Sequence, residues 1–164
     1  MSTQLSYDDL KQEIIPELQK YTHGVLASSD GSLVTARQMM LIPDELKISC
    51  FTFINSRKIK QILANKNVAL AINNIQIEGV ATLKGRTSDP KNKSFLKAFE
   101  KLRAESYKRW RDRCLDPKTP LQLIEISPRR IAVYVTTKAP TPYHNVLNID
   151  KKTAIRYLSG EDYE

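Results

Sequence analysis

The chain has 164 residues, 41% hydrophobic and 27% charged, an ordinary composition for a soluble globular protein and a length that suits one domain with a proper core. Its net charge of +8 points to an anionic partner: nucleic acid, a membrane surface or a phosphorylated ligand. The two cysteines show neither metal spacing nor a disulfide framework, the polar and acidic stretch from Met1 to Asp9 is no signal peptide, and no apolar run can span a bilayer, so a cytoplasmic protein is expected.

Ser6, with Asp9 three residues on, forms a capping box. Leu10, Ile14, Ile15 and Leu18 then recur at helical spacing, which predicts an amphipathic helix over Tyr7–Gln19 that Pro16 should kink or shorten. Gly24–Ser28 is a short apolar run, and Asp30-Gly31 predicts a tight hairpin turn, since that turn needs positive φ. The following strand, Leu33–Leu41, alternates Val34, Ala36, Gln38 and Met40 with Leu33, Thr35, Arg37 and Met39. Arg37 is its one charge, and such a charge either faces water or meets a ligand. Pro43-Asp44 turns the chain into a third strand, Leu46–Ile54, where Cys50 reads as core.

That strand runs directly into a helix over Ser56–Ala64. Asn55 and Ser56 are good N-caps, and Ile59, Ile62 and Leu63 supply an apolar face. Ser56, Arg57 and Lys58 therefore fall in the first turn, where backbone N–H groups lack helical partners and the dipole is positive. Two cations are locally unfavourable there, and a bound phosphate would remove the conflict. The same residues also describe an ordinary capped helix with a solvated surface, and on their own they leave both readings open.

Val68–Ile72 is apolar throughout and reads as a strand covered on both faces, turned by Asn73-Asn74. In the fifth strand, Gln76–Gly85, Gly79 marks a bulge or a close backbone approach. Ser88-Asp89-Pro90 opens a second long helix, with Phe95, Leu96, Phe99 and Leu102 on one face and cations from Lys91 to Arg113 on the other. Trp110 lies among them and either stacks on nucleic acid or packs its ring, while Glu100, Glu105 and Asp112 interrupt the charge. Leu121–Pro128 and Arg130–Val135 form a last strand pair, or one strand bent at Pro128. Residues 139–164 form a tail rich in proline and threonine that should extend over the surface. The order predicts a single domain, mainly β with flanking helices, in an antiparallel sheet that closes on itself.

This order, with Asn55-Ser56-Arg57-Lys58 after a strand, resembles the pyridoxamine 5′-phosphate oxidase-like family, the FMN-binding antiparallel split β-barrels. The similarity covers about Tyr21 to Thr87, with a weaker echo at Leu121–Tyr134. The resemblance implies that Ser56, Arg57 and Lys58 hold the FMN phosphate and that Arg37 contacts the same end. It implies that Gln38, Met39 and Met40 line the isoalloxazine through backbone groups, that Phe51 and Thr52 lie beside the ring and the phosphate arm, and that Asn74 stands where the family often has a glutamine reaching the flavin. It also implies a homodimer with FMN at the subunit interface.

The true oxidases carry an Arg-x-His pair near the C-terminus. This chain runs Leu147-Asn148-Ile149-Asp150-Lys151-Lys152 there, and its only tryptophan, Trp110, lies in another element. The implied activity is therefore that of an FMN-dependent oxidoreductase acting on an unassigned small molecule. A non-enzymatic carrier or sensor of FMN, deazaflavin or haem is the alternative. A nucleic-acid-binding protein ranks below both, because the cations are mixed with acids.

Overall fold

The computed structural model describes residues 2–136 and 141–160. In chain order these form β1 (Thr3–Leu5), α1 (Tyr7–Lys20), β2 (His23–Ser29), β3 (Val34–Met40), β4 (Ile42–Asp44), β5 (Lys47–Phe53), α2 (Arg57–Ala64), β6 (Asn67–Ile72), β7 (Ile75–Arg86), a 3-10 turn (Pro90–Asn92), α3 (Lys93–Leu102), α4 (Ala104–Leu115), β8 (Leu121–Val135), β9 (Tyr143–Asn148) and β10 (Thr153–Leu158). Every strand pair is antiparallel, in the order β1-β10-β9-β8-β7-β6-β2-β3, with β5 joined to β8 and β4 to β5.

The long strand β8 makes this a split barrel. Its first half pairs with β5, from Phe53↔Leu121 to Ile48↔Ile126, and its second half pairs with β9, from Arg130↔Asn148 to Val135↔Tyr143. Strand β7 runs beside both halves. Among the described residues no ladder joins β3 to β5, so the sheet does not close. The halves meet at Gly79, where the β7–β8 register shifts and Pro128 stands opposite. A Cβ on Gly79 would lie 2.7 Å from the Ser127 carbonyl oxygen. Both expectations for this glycine hold at once: the strand bulges, and another backbone passes too close for a side chain.

Two apolar clusters fill the structure. Leu10, Ile14 and Leu18 of α1 pack on Leu26, Ile77 and Leu147 of the sheet. Phe95, Phe99, Tyr107 and Cys114 of α3 and α4 pack on Leu121 and Leu123 at the start of β8, with Phe51 and Trp110 against them. Trp110 meets Phe51 edge-on at 5.3 Å, so its ring serves packing.

Several expectations are corrected. Pro16 does not shorten α1, which runs on to Lys20, because it and Gln12, whose carbonyl loses its partner, are exposed to water. The turn expected at Pro43-Asp44 lies two residues later, at Glu45-Leu46 with Glu45 at φ 52°, and Pro43 sits in the short edge strand β4. Strand β6 is covered on one face only: Val68, Leu70 and Ile72 are buried while Ala71 is exposed. The second long helix is two helices. The break falls at Arg103, whose guanidinium donates to the carbonyls of Leu41, Gln19, Leu102 and Tyr21 at 2.8–3.2 Å, fastening the α3–α4 corner to the end of α1. Finally, the C-terminal tail is sheet. Strands β9 and β10 bury Tyr143, Val146, Leu147 and Ala154. Residues 139–140 and 161–164 of that expected tail lie outside the described residues.

Candidate functional site

Strand β5 ends at Phe53 and α2 starts at Arg57, with Ser56 as its N-cap in extended conformation. The Ser56 hydroxyl makes no capping bond, and no acidic residue occupies the first turn. A helix start normally attracts one or both of these features, so its positive end here is left uncompensated by the chain itself. Strand alternation sends Thr52 to the side opposite Phe51. There Thr52 Oγ1 accepts a bond from Lys58 Nζ at 2.8 Å and lies 3.4 Å from the Ser56 hydroxyl. Lys58, Thr52 and Ser56 are half-buried and Arg57 is exposed.

Arg37 approaches the same place from β3. Its Nη1 donates to the Leu26 carbonyl at 3.1 Å and to Ser28 Oγ at 2.7 Å, and its Nη2 donates to Thr35 Oγ1 and, at 3.2 Å, to Gln61 Oε1. Burial, and then the charge of Arg57, lower the Arg37 pKa from its ordinary value. Burial, and then the charge of Arg37, lower that of Lys58. Arg37 thus interacts with both other cations, and among the described residues none of the three forms an ion pair. Half-buried cations without a counter-charge are costly, and an anion is the group whose arrival relieves the cost.

The structure therefore brings Arg37, Thr52, Ser56, Arg57 and Lys58 together. It leaves the other expected site residues elsewhere. Phe51 turns its ring into the second apolar cluster, 5.5 Å from Phe99 and 6.1 Å from Phe95. Met39 is buried in the first cluster, Met40 packs against the second, and Gln38 is exposed. Their backbone lies on β3, which ends the sheet order, so alternate N–H and C=O groups on its outer edge have no ladder among the described residues. Asn74 sits in the β6–β7 turn, with its side-chain amide donated to the Tyr134 carbonyl at 2.7 Å.

Three residues of this region were absent from the expected set: Ser28, Thr35 and Gln61. Gln61 Oε1 accepts from Ser28 Oγ and Thr35 Oγ1, both at 2.7 Å, as well as from Arg37, and its Nε2 donates to the Leu33 carbonyl at 3.1 Å. The sequence does hold a signal for it. Gln61 follows Lys58 by three residues, which puts both on one face of a helix. Leu63, read as part of the apolar face, is instead 72% exposed, while Gln61 is 2% exposed.

The sequence matches no family model and no curated protein. Similar structures are nonetheless numerous. General stress protein 26 from Bacillus anthracis is 26% identical, with a TM-score of 0.57 over 74% of this chain and 91% of its own. A pyridoxamine 5′-phosphate oxidase-related, FMN-binding protein from Nostoc punctiforme is 11% identical, with a TM-score of 0.59 over 94% of this chain and 95% of its own. The haem storage protein HutZ from Vibrio cholerae is 12% identical, with a TM-score of 0.55 over 74% of this chain and 93% of its own.

Proposed function

We propose that this chain, which has the pyridoxamine 5′-phosphate oxidase-like split-barrel fold, binds FMN by its phosphate and works as a flavin-dependent oxidoreductase. The observation that carries the reading is the group formed by Arg37, Arg57 and Lys58 around the hydroxyls of Thr52 and Ser56, with no acid among them. This donor set fits a phosphate. Lys58 supplies a point charge, the hydroxyls supply neutral donors, and exposed Arg57 can close over the outer oxygens. Bound there, FMN supplies hydride and single-electron transfer. The part of these residues is to bind and orient. The likeness to an FMN-binding protein supports this reading. The likeness to a haem storage protein keeps a carrier role as its alternative, and turnover separates the two.

A second copy of this chain completes the proposal. The outer face of β2 and β6 presents Val25, Ala27, Ala69 and Ala71, and a groove of about 480 Å³ runs over Ala27, Val34 and Ala69. A floor of small apolar side chains, with Val25 39% and Val34 67% exposed, suits a close-packed sheet face of a homodimer. The test is the visible spectrum of the purified protein after addition and removal of excess FMN, followed by reduced-nicotinamide oxidation with an acceptor. Retained FMN with turnover supports the oxidoreductase, and retained FMN without turnover favours the carrier. Failure to retain FMN overturns the proposal.

A further inference from the structure

We propose that Gln61 is a positioning residue for the phosphate of the bound cofactor, acting through Arg37. The inference rests on the phosphate reading above and goes beyond it, because it assigns the site's charge to two different tasks.

A guanidinium carries five N–H groups, four of them on the terminal nitrogens. In Arg37 all four terminal hydrogens are spent inside the chain, on the Leu26 carbonyl, Ser28 Oγ, Thr35 Oγ1 and Gln61 Oε1. Only the Nε–H is left over. From this position Arg37 cannot grip a phosphate as a fork; it contributes a fixed charge. The contacts fall to Arg57, Lys58 and the hydroxyls of Ser56 and Thr52.

Gln61 holds this arrangement in place. Its Oε1 gathers donors from β2 (Ser28) and β3 (Thr35 and Arg37), and its Nε2 reaches the Leu33 carbonyl. Gln61 itself stands on α2, one turn after Lys58. A single side chain thus sets the spacing between the strand that carries Arg37 and the helix that carries Ser56, Arg57 and Lys58. Ser28 and Gln61 are each 2% exposed, so water cannot replace a lost partner. What Gln61 controls is the preference for a phosphorylated flavin over an unphosphorylated one.

The experiment compares the parent protein with Gln61→Met and Gln61→Glu. Each is titrated with FMN and with riboflavin by flavin fluorescence, and each is melted thermally. Gln61→Met removes the shared acceptor, and the FMN-over-riboflavin preference falls by about tenfold while riboflavin affinity stays within about twofold. Gln61→Glu keeps an acceptor of the same shape, which guards against a variant that does not fold. Its carboxylate pairs with Arg37 and cancels the charge, so the preference falls again although the fold is retained. A purely structural role lowers the melting temperature and leaves the preference alone. If Gln61→Glu keeps the parent's preference to within about twofold while Lys58→Met loses it, the inference is overturned and the phosphate reading stands. If the parent itself binds riboflavin as well as FMN, both are overturned.

Discussion

Replacing Lys58 with methionine isolates the charge at the helix start. Methionine keeps an unbranched stem to fill the half-buried space beside Thr52, and it removes only the ammonium. A unit charge about 4 Å from one phosphate charge is worth roughly 1 kcal/mol in water and about 4 kcal/mol at the effective dielectric of a protein surface. Lys58 is half-buried, so a loss near 2 kcal/mol, about thirtyfold in Kd for FMN, is expected. Stability should behave differently. The variant loses the 2.8 Å bond to Thr52, worth about 1 kcal/mol, but it also loses a cation that Arg37 repels, so its unfolding free energy should stay within about 1 kcal/mol of the parent. Fluorescence titration with FMN and urea denaturation without it measure the two quantities. Tight FMN binding by Lys58→Met refutes the phosphate grip. A loss of stability beyond about 2 kcal/mol would falsify the claim that this charge is there for a ligand rather than for the fold.

Two further outcomes follow. The Lys58 pKa is lowered from 10.5, first by burial and then by Arg37, so between the lowered value and 10.5 the unfolded chain binds more protons than the folded one. The Lys58 contribution to stability therefore rises with pH across that window while FMN affinity falls, and urea denaturation at a series of pH values should show a rise in the parent that Lys58→Met lacks. Gly79→Val places its Cβ 2.7 Å from the Ser127 oxygen and 3.2 Å from Ile126 Cγ2 and Pro128 Cα; the two backbone atoms cannot yield without moving β8, so a destabilisation of about 2–3 kcal/mol is expected, read from a lowered urea midpoint. A midpoint equal to the parent's would show that the bulge tolerates a side chain.

Much of the fold could be read from local chemistry. Asp30-Gly31 announced the β2–β3 hairpin, although its loop runs over four residues from Asp30 to Leu33 and only Gly31 of the pair takes positive φ, so the expected tight turn is not formed. Gly79 announced the bulge, and the apolar rhythm of Leu10, Ile14 and Leu18 the helix that packs on the sheet. The misses at Arg103 and in the C-terminal tail share a cause: both depended on contacts distant in sequence. Nothing local tells Arg103 that the carbonyls of Gln19, Tyr21 and Leu41 will be within reach, yet those bonds fasten the corner between α3 and α4. The proline-rich approach to Tyr143 looked like a surface tail because its partner, β8, lies before it in the chain and gives β9 a ready edge.

The candidate site was legible where its residues are contiguous and hidden where they are not. Asn55-Ser56-Arg57-Lys58 can be read as an anion site because it violates a local rule, two cations at the positive end of a helix. Gln61 violates another rule, a polar side chain buried where Leu63 would satisfy the apolar count better. Binary patterning chose the leucine, since it scores side chains by polarity and has no term for a partner on another strand. The two violations occur one helical turn apart, and each is resolved by something outside α2: Gln61 by Ser28, Thr35 and Arg37, Lys58 by Thr52 and, in the function proposed, by a phosphate. Places where a sequence departs from its own local preferences are expected at functional sites. Here those departures and the geometry converge on one face of one short helix.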